Sequence, residues 1–177
     1  NSNGTLDTTY ATAGIYTQTM GTDDCIGTST IQSDGKIVLA GYATIAGVYQ
    51  VLSIRLNSNG TLDTTYATAG IYTQVIGTES IIFTSAIQSD GKIVLAGYAT
   101  IAGVEQVISI RLNSNGTLDT TYATAGIYNQ VIGINSNINT SIIQSDGKII
   151  LSGYAIIAEV QQVLSIRLNS NGTLDTT

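Results

Sequence analysis

The sequence predicts an all-β protein built from repeated copies of one small antiparallel sheet. The first observation is a nine-residue segment, NSNGTLDTT, which begins at Asn1 and recurs at Asn57, Asn113 and Asn169 with a constant spacing of 56 residues. The second is that every copy contains short runs rich in β-branched residues, separated by Asp-Gly and Asn-Gly pairs typical of tight reversals. The third is that no copy shows a convincing amphipathic helix.

The repeats divide the chain into residues 1–56, 57–112 and 113–168, and residues 169–177 start a further repeat. We interpret these segments as one repeat domain, because repeated units of this kind pack against their neighbours rather than fold alone. The chain is then either an excerpt of a longer array or an assembling unit.

Four strands are predicted in the first repeat. They are residues 14–20 (GIYTQTM), 28–32 (TSTIQ), 36–43 (KIVLAGYA) and 49–56 (YQVLSIRL). Asp34-Gly35 joins the second strand to the third and predicts a type I′ turn, which requires positive φ at both central positions. Asn59-Gly60 predicts a second turn of this kind after the fourth strand.

Both faces of these sheets are predicted to pack against neighbouring sheets. In the third strand, Ile37 and Leu39 lie on one face while Val38 and Ala40 lie on the other, so the strand is apolar on both sides. The fourth strand alternates, with one face formed by Leu52, Ile54 and Leu56 and the other by Val51, Ser53 and Arg55. Each sheet should therefore lie between two others.

A four-stranded antiparallel unit repeated every 40–50 residues or slightly more is typical of a β-propeller blade. The predicted fold class is therefore a β-propeller-type repeat with one blade per 56-residue repeat. A β-solenoid with coils of that length is the runner-up. Two tight reversals in each repeat count against it, because solenoid strands stack in parallel.

Three segments, NGTLDTTYATAGI, QSDGKIVLAGYA and SIRLNSNGTLD, resemble the delta-60 repeat of bacterial proteins. The resemblance covers the whole chain and implies a β-propeller fold without a characterised activity. The repeat here is slightly shorter than is usual for that family. Asn59, Asn115 and Asn171 stand where the family has an acidic residue before glycine, which weakens any interpretation of this turn as a metal loop.

Composition excludes several classes of partner. Charged residues make up 10% of the chain and the formal net charge is −6, so there is no basic patch to bind nucleic acid. The six cations occupy one Lys and one Arg position in every repeat, which indicates an architectural role. No stretch reaches the roughly 18 apolar residues of a membrane-spanning helix. Low charge together with abundant Thr, Ser and Asn suits an extracellular or cell-surface protein.

No catalytic, cofactor-binding or metal-binding residue is predicted, and we expect the chain not to be an enzyme. Histidine, the commonest general base, is absent. Asp23 and Asp24 are adjacent, but neighbouring strand residues point to opposite faces, so a solvated acidic loop is the simpler interpretation. Asn57, Asn59 and Asp63 have a spacing similar to that of calcium loops, yet one carboxylate is too few for Ca²⁺.

We expect Asp63 to have a structural role instead. Its carboxylate could cap nearby backbone N–H groups or pair with Arg55 or Arg111. Because this Asp and one Arg recur at the same positions in every repeat, the hypothesis predicts a regular internal ion pair. Replacing Arg111 by Met should then lower stability.

The copies differ mainly in two segments, TMGTDDCIGTST with its counterparts and GVYQ with its counterparts. We predict that these are loops at the strand ends, where contacts with partners form. Packing under a neighbouring blade is the alternative for their apolar residues. Cys25 is expected to be small and partly buried, with an intermolecular disulfide as the alternative. The resulting interface candidates are Met20, Asp23, Asp24, Cys25, Ile81, Ile82, Phe83, Asn135, Asn137, Ile138, Tyr49, Glu105 and Gln161.

Three blades cannot close a propeller, since closed rings have about four to eight. An open arc would leave apolar faces and strand edges in water, which favours association. Two chains could form a six-bladed ring, arcs could join head to tail into a filament, or the chain could belong to a longer array. The leading hypothesis is a structural, self-associating module. The alternative is a propeller that binds a glycan or protein ligand through its variable segments.

Overall fold

The computed structural model describes all 177 residues, which form eleven strands and no helix. The strands are β1 (Asp24–Ile31), β2 (Ile37–Ile45), β3 (Val48–Leu56), β4 (Ile71–Gln74), β5 (Glu79–Ile87), β6 (Ile93–Ile101), β7 (Val104–Leu112), β8 (Ile127–Gln130), β9 (Ile134–Ile143), β10 (Ile149–Ile157) and β11 (Val160–Leu168). The structure therefore contains no helix that is long and apolar enough to span a membrane.

The strands fall into three successive antiparallel groups, which we call blades, and a single parallel pairing of Tyr49 with Glu79 joins the first two groups into one eight-stranded sheet. Strands β1 to β4 pair antiparallel in chain order, as do β5 to β8, while the third blade consists of β9, β10 and β11. The fold is therefore all-β with propeller-type blades, and this antiparallel pairing is not that of a β-solenoid. The sheets do not close into a ring.

Each complete blade begins in one sequence repeat and ends in the next. The short fourth strands, β4 and β8, come from the start of the following repeat and pair with β3 and β7. The prediction of a strand over residues 14–20 is wrong. This segment contributes only an isolated bridge between Thr12 and Ile15. Its counterparts β4 and β8 are strands because each pairs with the third strand of the preceding repeat.

The first strand of each blade is the innermost, since β1 contacts β5 and β5 contacts β9. Hydroxyl pairs link these strands, with Thr28 Oγ1 3.0 Å from Ser85 Oγ and Thr84 Oγ1 2.9 Å from Ser141 Oγ. Strand β5 contains a bulge at Phe83 where it pairs with β6. Opposite the bulge, Gly97 has no space for a side chain, because a Cβ there would lie 2.0 Å from the carbonyl oxygen of Ile81.

The turns differ from the prediction in detail. At Asp34-Gly35 only the glycine has positive φ, and Gly35 N–H bonds to Gln32 O while Gln32 N–H bonds to Lys36 O. This is a type I turn followed by a glycine bulge, and Asn59-Gly60 has the same form. The type I′ prediction was therefore wrong at both turns. The two-residue turn with positive φ at both positions is Ala46-Gly47, between β2 and β3.

Candidate functional site

The same apolar interface is built twice inside the chain, once between each pair of successive blades. Toward blade 2, the first blade presents Val38, Ala40 and Val51, all fully buried. The second blade presents their counterparts Val94, Ala96 and Val107 toward blade 3. These residues pack against the opposite face of the next blade, which includes Ile82, Ile93, Leu95, Ile108, Ile110 and Leu112 in blade 2. The prediction that both faces of a sheet are covered is confirmed here.

A buried arginine adds a polar contact to each interface. Arg55 Nε lies 2.8 Å from Asp63 Oδ2, and its Nη1 donates to Ser114 O, in a turn of the next blade, at 2.6 Å. The guanidinium carbon also lies 4.8 Å from the ring centroid of Tyr66, which is a cation–π distance. Arg111 repeats the arrangement with Asp119 at 2.9 Å, the carbonyl oxygen of Ser170, and Tyr122 at 4.7 Å.

The predicted ion pair is thus present, and Asp63 pairs with Arg55 rather than Arg111. Its Oδ2 also lies 2.9 Å from Lys36 Nζ, while Oδ1 accepts hydrogen bonds from the backbone N–H and the hydroxyl of Thr65. Asp63 therefore has both roles that were predicted for it, cap and ion-pair partner. Asp175, in the partial fourth repeat, performs the same function for Arg167 and Lys148 in blade 3.

These contacts change the acidity of the carboxyls. Burial by itself would raise the pKa of Asp63, but hydrogen bonds from Thr65 and Lys36 and the charge of Arg55 hold that pKa well below its usual range. Asp119 behaves in the same way. Burial raises the pKa of Tyr66 to about 12, although its hydrogen bond with Ser53 and the nearby Arg55 act in the opposite direction.

The outer face of blade 3 has the apolar pattern of these interfaces but no neighbour. Val163 is 96% exposed, whereas its counterparts Val51 and Val107 are fully buried. Ile150 and Ser152, the counterparts of Val38 and Ala40, are only partly buried. We call this surface the C-face. Arg167 also lacks a neighbouring turn, and its side chain is 39% exposed.

The opposite face of blade 1, which we call the N-face, is partly covered. Tyr10, Tyr16 and Met20 pack over the buried cluster of Ala43, Leu52, Ile54 and Leu56. Ile26 is nevertheless 42% exposed, while its counterparts Ile82 and Ile138 are fully buried. A cavity of about 270 Å³ remains between this segment and the sheet, and it is lined by Tyr16, Ile26 and Leu39 among others.

Two polar grooves lie between the Ser-Asp-Gly-Lys turns of successive blades. The first, of about 640 Å³, is lined by side chains that include Ser33, Asp34, Ser89, Asp90 and Arg55. The second, of about 480 Å³, is lined by the equivalent residues of blades 2 and 3 and shares Gln88, Ser89 and Asp90 with the first. Sequence reasoning missed these grooves because their residues are identical in every repeat and were interpreted as framework.

The charges are segregated along the blades. All six cations lie at the end that carries the Ser-Asp-Gly-Lys turns, near the starts of β2, β6 and β10 and the ends of β3, β7 and β11. The other end, where β2 turns into β3, has five carboxylates and no cation. These carboxylates belong to Asp23, Asp24, Glu79, Glu105 and Glu159. We call it the acidic end.

The long variable segment is mostly strand, not loop as predicted. It forms much of β1, β5 and β9, the inner strands. Ile82 and Ile138 are fully buried between blades, as the alternative interpretation held, and Asn137 is also buried. Cys25 is exposed, which contradicts the expectation of partial burial. The exposed members of the set are Asp23, Phe83, Asn135 and Gln161, while Met20, Asp24, Tyr49, Ile81 and Glu105 are half-buried.

Two acidic side chains of the variable segment have clear structural partners. Asp24 Oδ2 accepts hydrogen bonds from the N–H groups of Met20 and Gly21, so it fixes the loop that enters β1. Glu79 Oε1 accepts a hydrogen bond from the Tyr98 hydroxyl at 2.9 Å. No group of three or more acidic or cysteine side chains comes together as a metal site would require.

A family model agrees with the blade architecture. The family model described as "Domain of unknown function (DUF5122) beta-propeller" matches residues 32–66, 88–122 and 144–177. No curated protein matches the sequence. Among solved structures, the chain is similar to a fucose lectin from Kordia zhangzhouensis in complex with methyl-fucoside, with 16% identity, 84% of this chain and 96% of the lectin covered, and a TM-score of 0.43.

Proposed function

This chain belongs to the domain of unknown function (DUF5122) beta-propeller family, and we propose that it is a non-enzymatic structural module whose end faces bind further copies of itself. The observation that carries the proposal is the exposure of Val163, at 96%, beside the full burial of Val51 and Val107. The C-face and the N-face are the two halves of an interface that the chain already forms twice. The N-face of a second copy is therefore complementary to the C-face of the first copy.

Apolar burial supplies a driving force for such association. Full burial of a side chain as exposed as Val163 favours binding by about 1.5–3 kcal/mol, and Ile26, which is 42% exposed, adds a smaller amount. Two polar residues that cross the internal interfaces have counterparts on blade 3 that contact no next blade. Arg167 bonds only within its own segment, to Asp175 and to Thr177 O, and Gln144 is exposed. The contacts that join the blades within one chain can therefore also form between two chains.

Sedimentation velocity over a range of concentrations tests the proposal. The wild-type chain should associate, and Val163→Asp should raise the dissociation constant at least about tenfold, because it places an unpaired charge in an apolar interface. Thr176→Asp is the matched control, since it adds the same charge at an exposed position whose counterparts, Thr64 and Thr120, stay exposed beside the internal interfaces. A wild-type chain that stays monomeric at high concentration would contradict the proposal.

A surface or extracellular location is part of the proposal. It is supported by a chain in which only 10% of residues are charged and solubility depends on Thr, Ser and Asn. We also propose that the module needs neither a metal nor another cofactor for this role. Its ion pairs and hydrogen bonds come from its own residues.

Recognition of a glycan is the second candidate, and the two polar grooves favour it. Hydroxyl, amide and carboxylate groups of Ser33, Ser89, Gln88 and Asp90 could bond to a polyhydroxylated ligand. These grooves lie at the opposite end from the acidic end, so this candidate differs from binding through the variable segments.

A glycan array followed by titration of any hit tests this candidate. Asp90 lines both grooves while Asp146 lines only the second. Asp90→Ala should therefore abolish binding at both, whereas Asp146→Ala should remove about half of the sites. If no glycan binds, or if Asp90→Ala binds as the wild type does, the candidate is eliminated.

A further inference from the structure

Aromatic and acidic side chains come together where blades 2 and 3 meet at the acidic end. The Tyr98 hydroxyl donates a hydrogen bond to Glu79 Oε1 at 2.9 Å, and the Tyr98 ring stacks on Phe83 with 6.1 Å between the ring centroids. Glu105 adds a second carboxylate, and Ser136 adds a buried hydroxyl. We call these five residues the junction site.

The strand register places Tyr98 and Glu105 on the face of blade 2 that meets blade 3. Tyr98 pairs with Val107, whose side chain is fully buried against blade 3, and Glu105 lies two residues from Val107 on the same face. Burial, the hydrogen bond to Glu79 and the charges of Glu79 and Glu105 raise the pKa of Tyr98. Both carboxylates therefore lie near the same phenol.

The Ser136 hydroxyl points into this junction from blade 3 and has no partner. Ser136 is fully buried, and it lies two residues from Ile138, which packs against blade 2. Its counterpart Ser80 is also fully buried and donates to the carbonyl oxygen of Tyr49 at 3.1 Å. Ser136 Oγ makes no such bond. A buried polar group without a partner indicates that a further atom completes its contacts.

The junction site has negative charge that no cation balances. Glu79 and Glu105 are half-buried, and all six cations of the chain lie at the other end. Phe83 is 36% exposed, so an apolar ring faces solvent beside the carboxylates. Carboxylates and aromatic rings together are suited to an organic cation. A divalent metal would need further carboxylates, and none joins these two.

We propose that the junction site binds a primary ammonium group carried on an alkyl chain. The carboxylates of Glu79 and Glu105 accept hydrogen bonds from the ammonium, and Ser136 Oγ accepts a third. The Phe83 ring packs against the methylene groups, while Tyr98 holds Glu79 in position. Free polyamines and the lysine side chains of a partner protein both carry such a group. This inference does not depend on self-association, and the site lies at the opposite end of the blades from the polar grooves.

The first blade junction lacks this combination and serves as an internal comparison. Tyr49 stands there in place of Glu105, and Gly27 stands in place of Phe83. Ser80, the counterpart of Ser136, already has its partner. We therefore expect one ammonium site per chain.

NMR titration of the isotope-labelled chain tests the proposal with two probes, Nα-acetyl-lysine N-methylamide and spermidine. At least one should bind at a single site and shift the amide signals around Glu105 and Ser136. The norleucine analogue of the first probe has the alkyl chain without the charge and should not bind. Tighter binding of the lysine compound would indicate a partner protein as the source of the cation, and tighter binding of spermidine would indicate a free polyamine.

Matched variants distinguish the site from general attraction to the acidic end. Glu105→Gln should weaken binding at least about tenfold, because it removes a carboxylate that contacts the ammonium. Glu159→Gln removes the same charge from the acidic end outside the junction site and should change the affinity by less than about twofold. Phe83→Asn introduces the residue that the third repeat has at Asn139, leaves the charge unchanged and should also weaken binding.

Ser136→Ala separates binding from folding. Because the Ser136 hydroxyl has no partner in the isolated chain, its removal should weaken ammonium binding without lowering the free energy of unfolding. Ser80→Ala removes the bond to Tyr49 O, so it should lower that free energy and leave binding unchanged. The inference is wrong if neither amine binds, or if Glu105→Gln and Glu159→Gln weaken binding equally.

Discussion

The guanidinium of Arg111 makes three different contacts at one blade junction. It pairs with Asp119, donates to a carbonyl of the next blade and lies beside the Tyr122 ring. All three contacts are buried, and a buried charge that loses its partner is strongly destabilising. The arginine therefore connects the folding of one blade to the presence of the next.

Arg111→Met should lower the free energy of unfolding toward the lower end of the about 3–5 kcal/mol typical of a broken buried pair, because Lys92 still contacts Asp119. Arg167→Met is the control within the same chain, since Arg167 has the same sequence context but no next blade. It should cost about 1 kcal/mol or less. Urea denaturation measures both, and equal losses would contradict the role given to the blade junction.

The low pKa values of Asp63 and Asp119 predict a loss of stability in acid. Because the folded chain binds these protons less readily than the unfolded chain, the stabilisation is fully present above about pH 4 and is lost as the pH falls below it. Urea midpoints measured from pH 5 to pH 2 should therefore decrease. Asp119→Asn removes one of the carboxyls and should flatten the profile; an unchanged slope would count against this assignment.

At the scale of strands and turns, the hairpin between β10 and β11 contains a backbone conflict. Ala158 and Glu159 have φ values of 51° and 64°, whereas the other two hairpins place Gly47 and Gly103 at the second position. A non-glycine residue with positive φ is strained. A Cβ at Gly103 would meet nothing within 4 Å, so the conflict concerns only the backbone.

Glu159→Gly should therefore raise the free energy of unfolding by about 0.5–1 kcal/mol, and Gly103→Glu should lower it by about 1 kcal/mol. Thermal and urea unfolding measure both changes. Glu159→Gln, which removes the charge and keeps the strained backbone, should have little effect. If Gln stabilises as much as Gly does, charge repulsion is the cause and the backbone argument is wrong.

The second and third strands of each blade could be predicted from sequence because their pattern is local. Val38 and Ala40 alternate with Ile37 and Leu39, and both sets are apolar, so two covered faces follow directly. The assignment of the short strand to a blade could not be predicted. Residues 71–74 follow a segment, NGTLDTTYATAG, that is identical in every repeat, and periodicity alone does not say where one blade ends and the next begins.

The sequence predicted that an Asp–Arg ion pair would form, but it did not predict the further contacts of the arginine. One Asp and one Arg per repeat indicated a regular pair, and Asp63 with Arg55 forms it. The contacts of Arg55 with Ser114 and Tyr66 depend on how blades stack, which the sequence does not specify. For the same reason the grooves between blades were missed, and the variable inner strands were interpreted as loops.

For the whole molecule, the segregation of charge predicts how association depends on salt. In a head-to-tail assembly all blades run the same way, so the acidic ends of neighbouring copies lie side by side and repel one another. Salt screens this repulsion, since the Debye length falls from about 30 Å at 0.01 M to about 3 Å at 1 M. We expect added NaCl to strengthen association.

Sedimentation at 0.05 M and 1 M NaCl tests this expectation. A chain with Glu105→Gln and Glu159→Gln should associate more strongly at low salt and respond less to added salt. Gln161 occupies the position of Glu105 in the third repeat, so the first change is tolerated by the fold. Association that weakens with added salt would indicate contacts between unlike ends and would argue against the head-to-tail arrangement.

The polar groove beside Asp90 recurs wherever two blades meet. A joint between two copies would create one more such groove, so a polymer would display identical recesses in an evenly spaced row. A ligand with several linked binding groups could then occupy many recesses at once, and weak single contacts would combine into strong avidity. The affinity of such a polymer for a multivalent surface would increase with the length of the polymer, although the affinity of each individual contact would be unchanged.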